Sequence, residues 1–150
     1  SRYYLEEYDL NRSFPGIELK NKGEILANTI YNFVSQKADM VIDLHESQYF
    51  AKENSDYYGQ SIIAGTNNIS IMYTMIVIDK ANKRIYKSKH EFILNSHPVK
   101  YSLVWAVDKK LKIPAFMVET CKEMELEKRI KYQVLITKLL LEEAGVKIDE

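Results

Sequence analysis

The chain has 150 residues, of which 46% are hydrophobic and 28% charged, and its formal net charge is zero. This length fits one domain with a substantial core. Zero net charge gives no electrostatic basis for binding nucleic acid or an anionic membrane. The longest apolar runs, at residues 69–78 and 134–136, are too short to span a bilayer, so we expect neither partner. No signal peptide or lipidation motif assigns a compartment, and the single Cys121 excludes an internal disulfide.

Helices and strands are predicted to alternate along the chain. In chain order the pattern predicts a helix at 19–37, strands at 40–44 and 61–64, a helix at 67–83, a strand at 92–94, a helix at 102–111, a strand at 114–119 and a helix at 125–144. The composition of 67–83 also suits a strand, but its length favours a helix. This order predicts an α/β fold in which helices flank a layered, mixed and largely parallel sheet.

Apolar periodicity predicts which side of each terminal helix is buried. For the first helix these residues are Ile25, Leu26, Ile30, Phe33 and Val34. For the last helix they are Leu126, Ile130, Val134, Leu135, Leu139 and Leu140. Ser102 is the predicted N-cap of the third helix.

An adjacent Asn-Arg pair precedes a Pro-Gly turn in the segment Tyr8-Asp9-Leu10-Asn11-Arg12-Ser13-Phe14-Pro15-Gly16. The guanidinium of Arg12 is a planar fork of donors suited to binding a carboxylate, and Asn11 adds a neutral donor and acceptor. Arg2, on the approach to this segment, could supply a second cation. The alternatives are a surface ion pair for Arg12 and a turn-supporting role for Asn11.

Two further residues follow predicted strands, where functional side chains are common in open α/β sheets. His45, in Asp43-Leu44-His45, could present a ring nitrogen to a metal while a carboxylate or carbonyl fixes its tautomer. Glu119, after Ala-Phe-Met-Val, could act as general base on a metal-bound water. The alternatives are a histidine that only hydrogen-bonds within a loop and a glutamate that pairs across the next turn. His97, in a predicted loop, is a weaker candidate to line the site.

Three ordered motifs resemble those of the zinc carboxypeptidase superfamily. Residues 9–16 resemble its Asp-x-Asn-Arg-x-Phe-Pro-Gly signature, and Asp43-Leu44-His45 resembles the segment that carries its second zinc histidine. Residues 101–120, which end in Val-Glu-Thr, resemble the segment that ends in its catalytic glutamate. Arg2-Tyr3 and Pro-Ala-Phe-x-Val-Glu-Thr resemble the succinylglutamate desuccinylase and aspartoacylase branch in particular.

The resemblance implies a role for each residue. His45 would be a zinc ligand, and Glu119 would activate the zinc-bound water and protonate the leaving amine. Asn11 and Arg12 would bind the substrate carboxylate, while Arg2 would stabilise the oxyanion. Tyr101 and His97 are the nearest candidates for the tyrosine that many carboxypeptidases place ahead of the glutamate.

The chain departs from that superfamily in lacking a His-x-x-Glu motif, which supplies the other two zinc ligands. Hydrolytic zinc sites usually have three protein ligands, and only ten residues precede Asn11. We therefore expect a partial catalytic domain over residues 1–150, lacking its N-terminal strands and inactive alone. It would belong to a zinc-dependent hydrolase of amides next to a free carboxylate, of carboxypeptidase or N-acyl amino acid deacylase type. An open apolar sheet edge should then promote self-association or binding of the missing N-terminal segment.

The sequence leaves two other hypotheses open. The chain could be a metal-free domain that binds carboxylates or peptide C-termini without catalysis. It could also be a structural α/β domain in which Arg12 and His45 are ordinary surface residues.

Overall fold

The computed structural model describes residues 3–4, 8–18 and 20–148. Within these ranges, in chain order, lie β1 (Tyr3–Tyr4), β2 (Tyr8–Asp9), a 3₁₀ turn (Leu10–Arg12), α1 (Lys22–Lys37), β3 (Val41–Ser47), β4 (Ser61–Ala64), α2 (Asn68–Asn82), a second 3₁₀ turn (Ser88–His90), β5 (Ile93–Asn95), α3 (Leu103–Lys110), β6 (Ala115–Cys121) and α4 (Leu126–Glu143). None of the helices in the described ranges combines the length and apolarity needed to cross a bilayer.

The main sheet has four strands in the order β3-β6-β4-β5. Strands β3 and β6 are parallel, as are β4 and β5, whereas β4 and β6 are antiparallel. The sheet is therefore mixed with two of its three pairs parallel, and the predicted fold class is confirmed. Every residue of the inner strand β6 is buried, as expected of a strand covered on both faces. Strands β1 and β2 form a separate antiparallel pair.

Helices cover both faces of the sheet, and the alternation of β6 side chains divides the core between them. Phe116 and Val118 point into a cluster with residues of α2 and α4. Met117 points the other way, into a cluster with Val104 and Val107 of α3. Glu119 follows Met117 at the same period-two spacing, so it lies on the α3 face of the sheet.

The motif at residues 14–16 attaches the N-terminal segment to α1. Phe14 is buried with Ala27 of α1 and Ala106 of α3, and the Phe14–Pro15 peptide bond is cis. Gly16 has a φ of +80°, and a Cβ there would lie 2.3 Å from the backbone nitrogen of Asn28. Only glycine therefore fits this close approach, which fixes the position of the preceding Asn-Arg pair.

The predicted helices and strands all occur within a few residues of their expected bounds, and Ser102 caps α3 by accepting a hydrogen bond from the Trp105 amide at 3.1 Å. The expected ends of two strands were wrong. Strand β3 continues to Ser47 and β6 to Cys121, because the parallel ladder persists through polar residues that resemble a loop in the sequence. His45 and Glu119 consequently lie within strands.

The predicted buried sides of α1 and α4 were partly wrong. Ile25 and Phe33 of α1 are exposed. In α4, Leu139 and Leu140 are buried as expected, but the first three residues of the predicted stripe, Leu126, Ile130 and Val134, are 59%, 53% and 49% exposed. Apolar residues occur on more than one side of α4, so periodicity alone does not determine which side faces the sheet.

We expect Phe116→Ala to lower the free energy of unfolding by about 3–5 kcal/mol, since it empties a buried aromatic position in the central strand. Urea denaturation of the 150-residue chain measures the change. Tyr86→Ala, at an exposed position, is the control and should change the free energy by less than about 0.5 kcal/mol. Equal effects of the two substitutions would contradict this assignment of the core.

Candidate functional site

The site is centred on one residue pair of the β3–β6 ladder. His45 lies directly beside Glu119 in the parallel register, so both side chains project from the α3 face of the sheet. On the other side of Glu119, β4 places Ser61 at the paired position. The sequence candidates His45 and Glu119, which are far apart in the chain, are thus neighbours on adjacent strands.

Asp43 contacts His45 from the same strand and the same face. The two residues are two positions apart in β3, and Oδ2 of Asp43 lies 3.1 Å from Nε2 of His45. This carboxylate orients the imidazole ring and leaves Nδ1 as the nitrogen that can serve a ligand. From α4, Nε2 of Gln133 donates to the His45 carbonyl at 2.9 Å and to Oγ1 of Thr120 at 3.2 Å, which ties β3 and β6 to the helix beneath them.

Glu119 is held in surroundings that disfavour its charge. It is only 7% exposed, and its Oε2 has no hydrogen-bond partner among the described residues. Burial is the largest cause that raises the pKa of Glu119 to about 7, and the opposing effect of His45 is smaller. A carboxyl group with a pKa near neutrality can both accept and return a proton at physiological pH.

The pKa of His45 is also raised. Burial by itself lowers this pKa, but the hydrogen bond and charge of Asp43, together with the charge of Glu119, outweigh it. The positive charge of Arg12 lowers the pKa of His45. The guanidinium therefore lies within electrostatic range of the imidazole.

Asn11 and Arg12 occupy the 3₁₀ turn that follows β2. The backbone N–H of Asn11 donates to Oδ1 of Asp9 at 3.1 Å. The side-chain Oδ1 of Asn11 accepts from the backbone N–H of Leu103, at the start of α3, at 3.4 Å. Arg12 is exposed, and its Nη1 donates to the Asn11 carbonyl at 2.7 Å. The turn therefore presents a cation at the surface, within electrostatic range of His45.

The remaining sequence candidates fall in different places. Tyr101 lies beside the Asn-Arg segment, since its carbonyl accepts from the Phe14 amide at 3.0 Å. Its ring packs edge-on against Trp105 at 5.1 Å between centroids, and its backbone has a φ of +65°, which is uncommon for a bulky residue. His97 is exposed, and among the described residues no hydrogen bond or ion pair joins it to His45 or Glu119. Arg2 lies outside the described residues.

The described residues do not by themselves form a metal site, because they contain no group of three histidine, cysteine, aspartate or glutamate side chains arranged to hold an ion. His45 fits one position of such a site, since a carboxylate fixes its other ring nitrogen, as is usual for metal-binding histidines. Further ligands would have to come from elsewhere in the polypeptide.

Asp43 and Gln133 are the contacts that sequence reasoning did not assign. The period-two spacing of Asp43 and His45 on a strand carries the signal for the first. No sequence pattern identifies Gln133, because its role depends on how α4 packs beneath the sheet.

No protein-family model matches the chain, and no curated protein sequence matches it either. Solved structures do share its fold. The tripeptide-bound cell shape determinant Csd4 from Helicobacter pylori has a TM-score of 0.82 and 20% identity, over 95% of this chain and 40% of that one. The mDAP-bound form of Helicobacter pylori Csd4, a D,L-carboxypeptidase, gives 0.82 and 18%, over 93% and 38%.

A more distant structure, murine aminoacylase 3, has a TM-score of 0.56 and 15% identity, over 91% of this chain and 46% of that one. At such identities the likeness establishes the fold alone. The chain spans about two fifths of the length of the Csd4 structures.

We expect Glu119→Gln to stabilise the 150-residue chain above pH 7. The folded-state pKa of Glu119 is raised from 4.5 to about 7, so the folded chain binds more protons than the unfolded chain between these values. Stability therefore falls as the pH rises through this window, by an amount on the order of 3 kcal/mol.

Urea denaturation from pH 4 to pH 8 measures this effect. The difference between Glu119→Gln and the parent should be small near pH 4 and largest at pH 8. Glu123→Gln, at an exposed position, is the matched control and should follow the parent. A pH dependence in Glu119→Gln identical to that of the parent would contradict the raised pKa.

Proposed function

We propose that this chain is part of a zinc-dependent hydrolase that cleaves an amide bond next to a free carboxylate. The observation that carries the proposal is the His45–Glu119 pair on adjacent strands, in which a buried carboxylate has its pKa raised to about 7 beside a histidine oriented by Asp43. Titratable groups perturbed by burial and by a specific charged partner are common at active sites.

Glu119 is the proposed general base and acid. Its ionised form accepts a proton from the water that attacks the scissile carbonyl, and its protonated form returns that proton to the leaving amine. Both transfers are efficient when the pKa of the carboxyl group lies near the working pH. The rigid, buried position in β6 keeps the carboxylate in place between water attack and amine release.

Asn11 and Arg12 are the proposed binding groups for the substrate carboxylate. The guanidinium of Arg12 can form two parallel hydrogen bonds with a carboxylate. The effect of its charge on His45 supports a substrate orientation in which the adjacent amide reaches Glu119. Tyr101, next to the same turn, is the proposed aromatic contact for the residue that carries the carboxylate. Arg2 and His97 remain candidates for contacts with the rest of the substrate.

The similar structures support a substrate class. Csd4 structures bound to mDAP and to a tripeptide, and the aminoacylase structure, are consistent with a short peptide or an N-acyl amino acid that ends in a free carboxylate.

Zinc is the proposed cofactor, with His45 as one ligand through Nδ1. Because the described residues supply no complete ligand set, the proposal requires further ligands from the parent polypeptide, and the 150-residue chain alone should be inactive.

A metal-free domain that binds carboxylates is the second candidate. The exposed guanidinium of Arg12 in the turn with Asn11 favours carboxylate binding, while the raised pKa of Glu119 favours catalysis. The two differ in whether Glu119 has a kinetic role.

We expect Glu119→Gln and Arg12→Ala to affect different kinetic constants in the complete gene product. With a tripeptide that has a free C-terminal carboxylate, Glu119→Gln should lower kcat by about 100- to 10,000-fold. Arg12→Ala should raise KM by about 10- to 100-fold, the usual effect of losing a charged hydrogen bond. Steady-state hydrolysis assays measure both constants.

The same tripeptide with a C-terminal amide is the substrate control, since Arg12→Ala should remove the preference for the acid over the amide. The control is Arg84→Ala, which replaces an exposed arginine that follows α2 in the sequence. It should leave both constants unchanged. If the gene product is active and Glu119→Gln leaves kcat unaltered, the proposed mechanism is excluded. If the gene product binds carboxylates but does not hydrolyse the tripeptide, the second candidate is favoured.

Zinc stoichiometry gives a separate prediction. Elemental analysis of the complete gene product should find about one zinc ion per chain, and His45→Ala should lose it. His97→Ala, with an exposed side chain, should retain the metal. The 150-residue chain alone should bind essentially none; one zinc per 150-residue chain, unaffected by His45→Ala, would contradict the ligand assignment.

A further inference from the structure

Strand β4 leaves the main sheet directly beside Glu119. Ser61, the first residue of β4, is the antiparallel partner of Glu119. The preceding residue, Gln60, has a φ of +60°, and the chain turns there. Gly59 therefore does not continue the ladder along β6 but pairs with Phe50 in an isolated bridge. The β4 ladder thus ends at Glu119, whereas β6 continues for two further residues.

The side chain of Gln60 takes over where this ladder ends. Its Oε1 accepts a hydrogen bond from the Cys121 amide at 3.3 Å, and its Nε2 donates to the His90 carbonyl at 2.8 Å. The backbone carbonyl of Gln60 accepts from the Ile93 amide, at the start of β5, at 3.0 Å. Gln60 is only 1% exposed, so these bonds are shielded from water. One residue therefore joins the ends of β4, β5 and β6.

The bond to Cys121 places Glu119 inside the hydrogen-bonded part of β6 rather than at its end. Odd-numbered residues of β6 direct their backbone groups toward β4, as the bond from the Gly65 amide to the Ala115 carbonyl shows. Without Gln60, Glu119 would be the last residue held from this side. Backbone at the end of a ladder opens more readily than backbone within it. Gln60 thus restrains the strand that carries the carboxylate where β4 has left the sheet.

The turn before Gln60 is anchored on both flanks of Glu119. The Tyr58 amide donates to Oγ of Ser47, at the end of β3, at 3.0 Å. The Tyr58 carbonyl accepts from Oγ of Ser61 at 2.7 Å. Tyr58 also packs against the apolar cluster on the α3 face of the sheet. These contacts hold the turn to β3 and β4, so the backbone that carries Gln60 has little freedom to move.

Glutamine is an uncommon residue for this backbone conformation. A positive φ favours glycine and, among the other residues, asparagine and aspartate. A fully buried glutamine is also rare. Position 60 combines both features, and strained positions of this kind cluster at functional sites. The two hydrogen bonds of the side chain, which neither glycine nor an apolar residue could make, account for the presence of glutamine.

We propose that Gln60 is a positioning residue for Glu119, which it holds through the Cys121 amide at the end of β6. The inference rests on the proposed function, in which Glu119 transfers the proton. Loss of the bond would let the end of the strand move, so the carboxylate would be aligned less accurately with the attacking water. Small misplacements of a catalytic group slow the chemical step strongly. Asn11 and Arg12 lie on a different segment, so binding of the substrate carboxylate should change little.

Steady-state kinetics of the complete gene product test this role. Gln60→Met keeps the length of the side chain and loses both bonds. With the tripeptide that has a free C-terminal carboxylate, kcat should fall by about 10- to 100-fold, while KM should change by less than about twofold. Gln60→Gly lacks the same bonds and fits the positive φ without strain, so its kcat should fall by a similar factor. An active gene product in which either folded variant keeps the original kcat would overturn the proposal.

Asn82→Leu is the matched control for a purely structural role. The side chain of Asn82 also makes two bonds to backbone, donating from Nδ2 to the Phe92 carbonyl at 2.9 Å and accepting at Oδ1 from the Phe92 amide at 2.8 Å. These bonds hold the residue before β5 to α2 and do not reach β6. Asn82→Leu and Gln60→Met should both lower the Tm, but only Gln60→Met should lower kcat. Equal losses of kcat, at a temperature where both variants are folded, would also overturn the proposal.

Hydrogen–deuterium exchange in the complete gene product gives a readout that needs no activity. In Gln60→Met the Cys121 amide should exchange at least about 10-fold faster than in the unmodified protein. The Lys122 amide, which donates to the Ser47 carbonyl at 2.9 Å, is the internal control and should keep its protection. An unchanged rate at Cys121 would overturn the inference whether or not the gene product is an enzyme. A gene product without hydrolytic activity would instead refute the proposed function, and with it the catalytic purpose of Gln60.

Discussion

The parallel register of β3 and β6 determines the geometry on which the rest of the site depends. Seven residue pairs hold the two strands together, and one of them places His45 beside Glu119. A slip of one position would turn one of these side chains to the opposite face of the sheet. Such a slip would also move Phe116 and Val118 out of the α2 and α4 core. The packing that buries β6 therefore also fixes the chemistry of the site.

The same packing explains why Glu119 is perturbed. Met117, two residues before it in β6, and Ile63, the β4 residue paired with Met117, are both fully buried, so the carboxylate lies close to an apolar environment with little access to water. An ionised carboxylate in such surroundings is unfavourable unless it is paired, and one of its oxygens has no partner among the described residues. The free energy of unfolding at neutral pH is therefore lower than it would be with an apolar residue in place of Glu119. Such a cost in stability is common at functional sites.

The sequence predicted the elements of this site better than their arrangement. Short apolar runs identified the strands that carry His45 and Glu119, because a buried strand must be apolar on both faces. Their adjacency depends on β6 inserting between β3 and β4, a long-range choice that local patterns do not record. The exposed side of α4 was missed for a similar reason: Ile130 and Val134 have the spacing of core residues, but α4 packs against the sheet through Ile136, Leu139 and Leu140.

The residues of the candidate site lie partly on paired strands and partly in a turn and a loop. His45 and Glu119 lie on adjacent strands, and Gln133 of α4 holds the His45 carbonyl from below, so the groups proposed for chemistry have little freedom to move. Arg12 and Tyr101 instead lie in a turn and a loop joined by the hydrogen bond from the Phe14 amide. Loops tolerate changes in length and sequence more readily than paired strands do. Differences in substrate among proteins of this fold should therefore arise in these two segments, while the residue pair on the strands is kept.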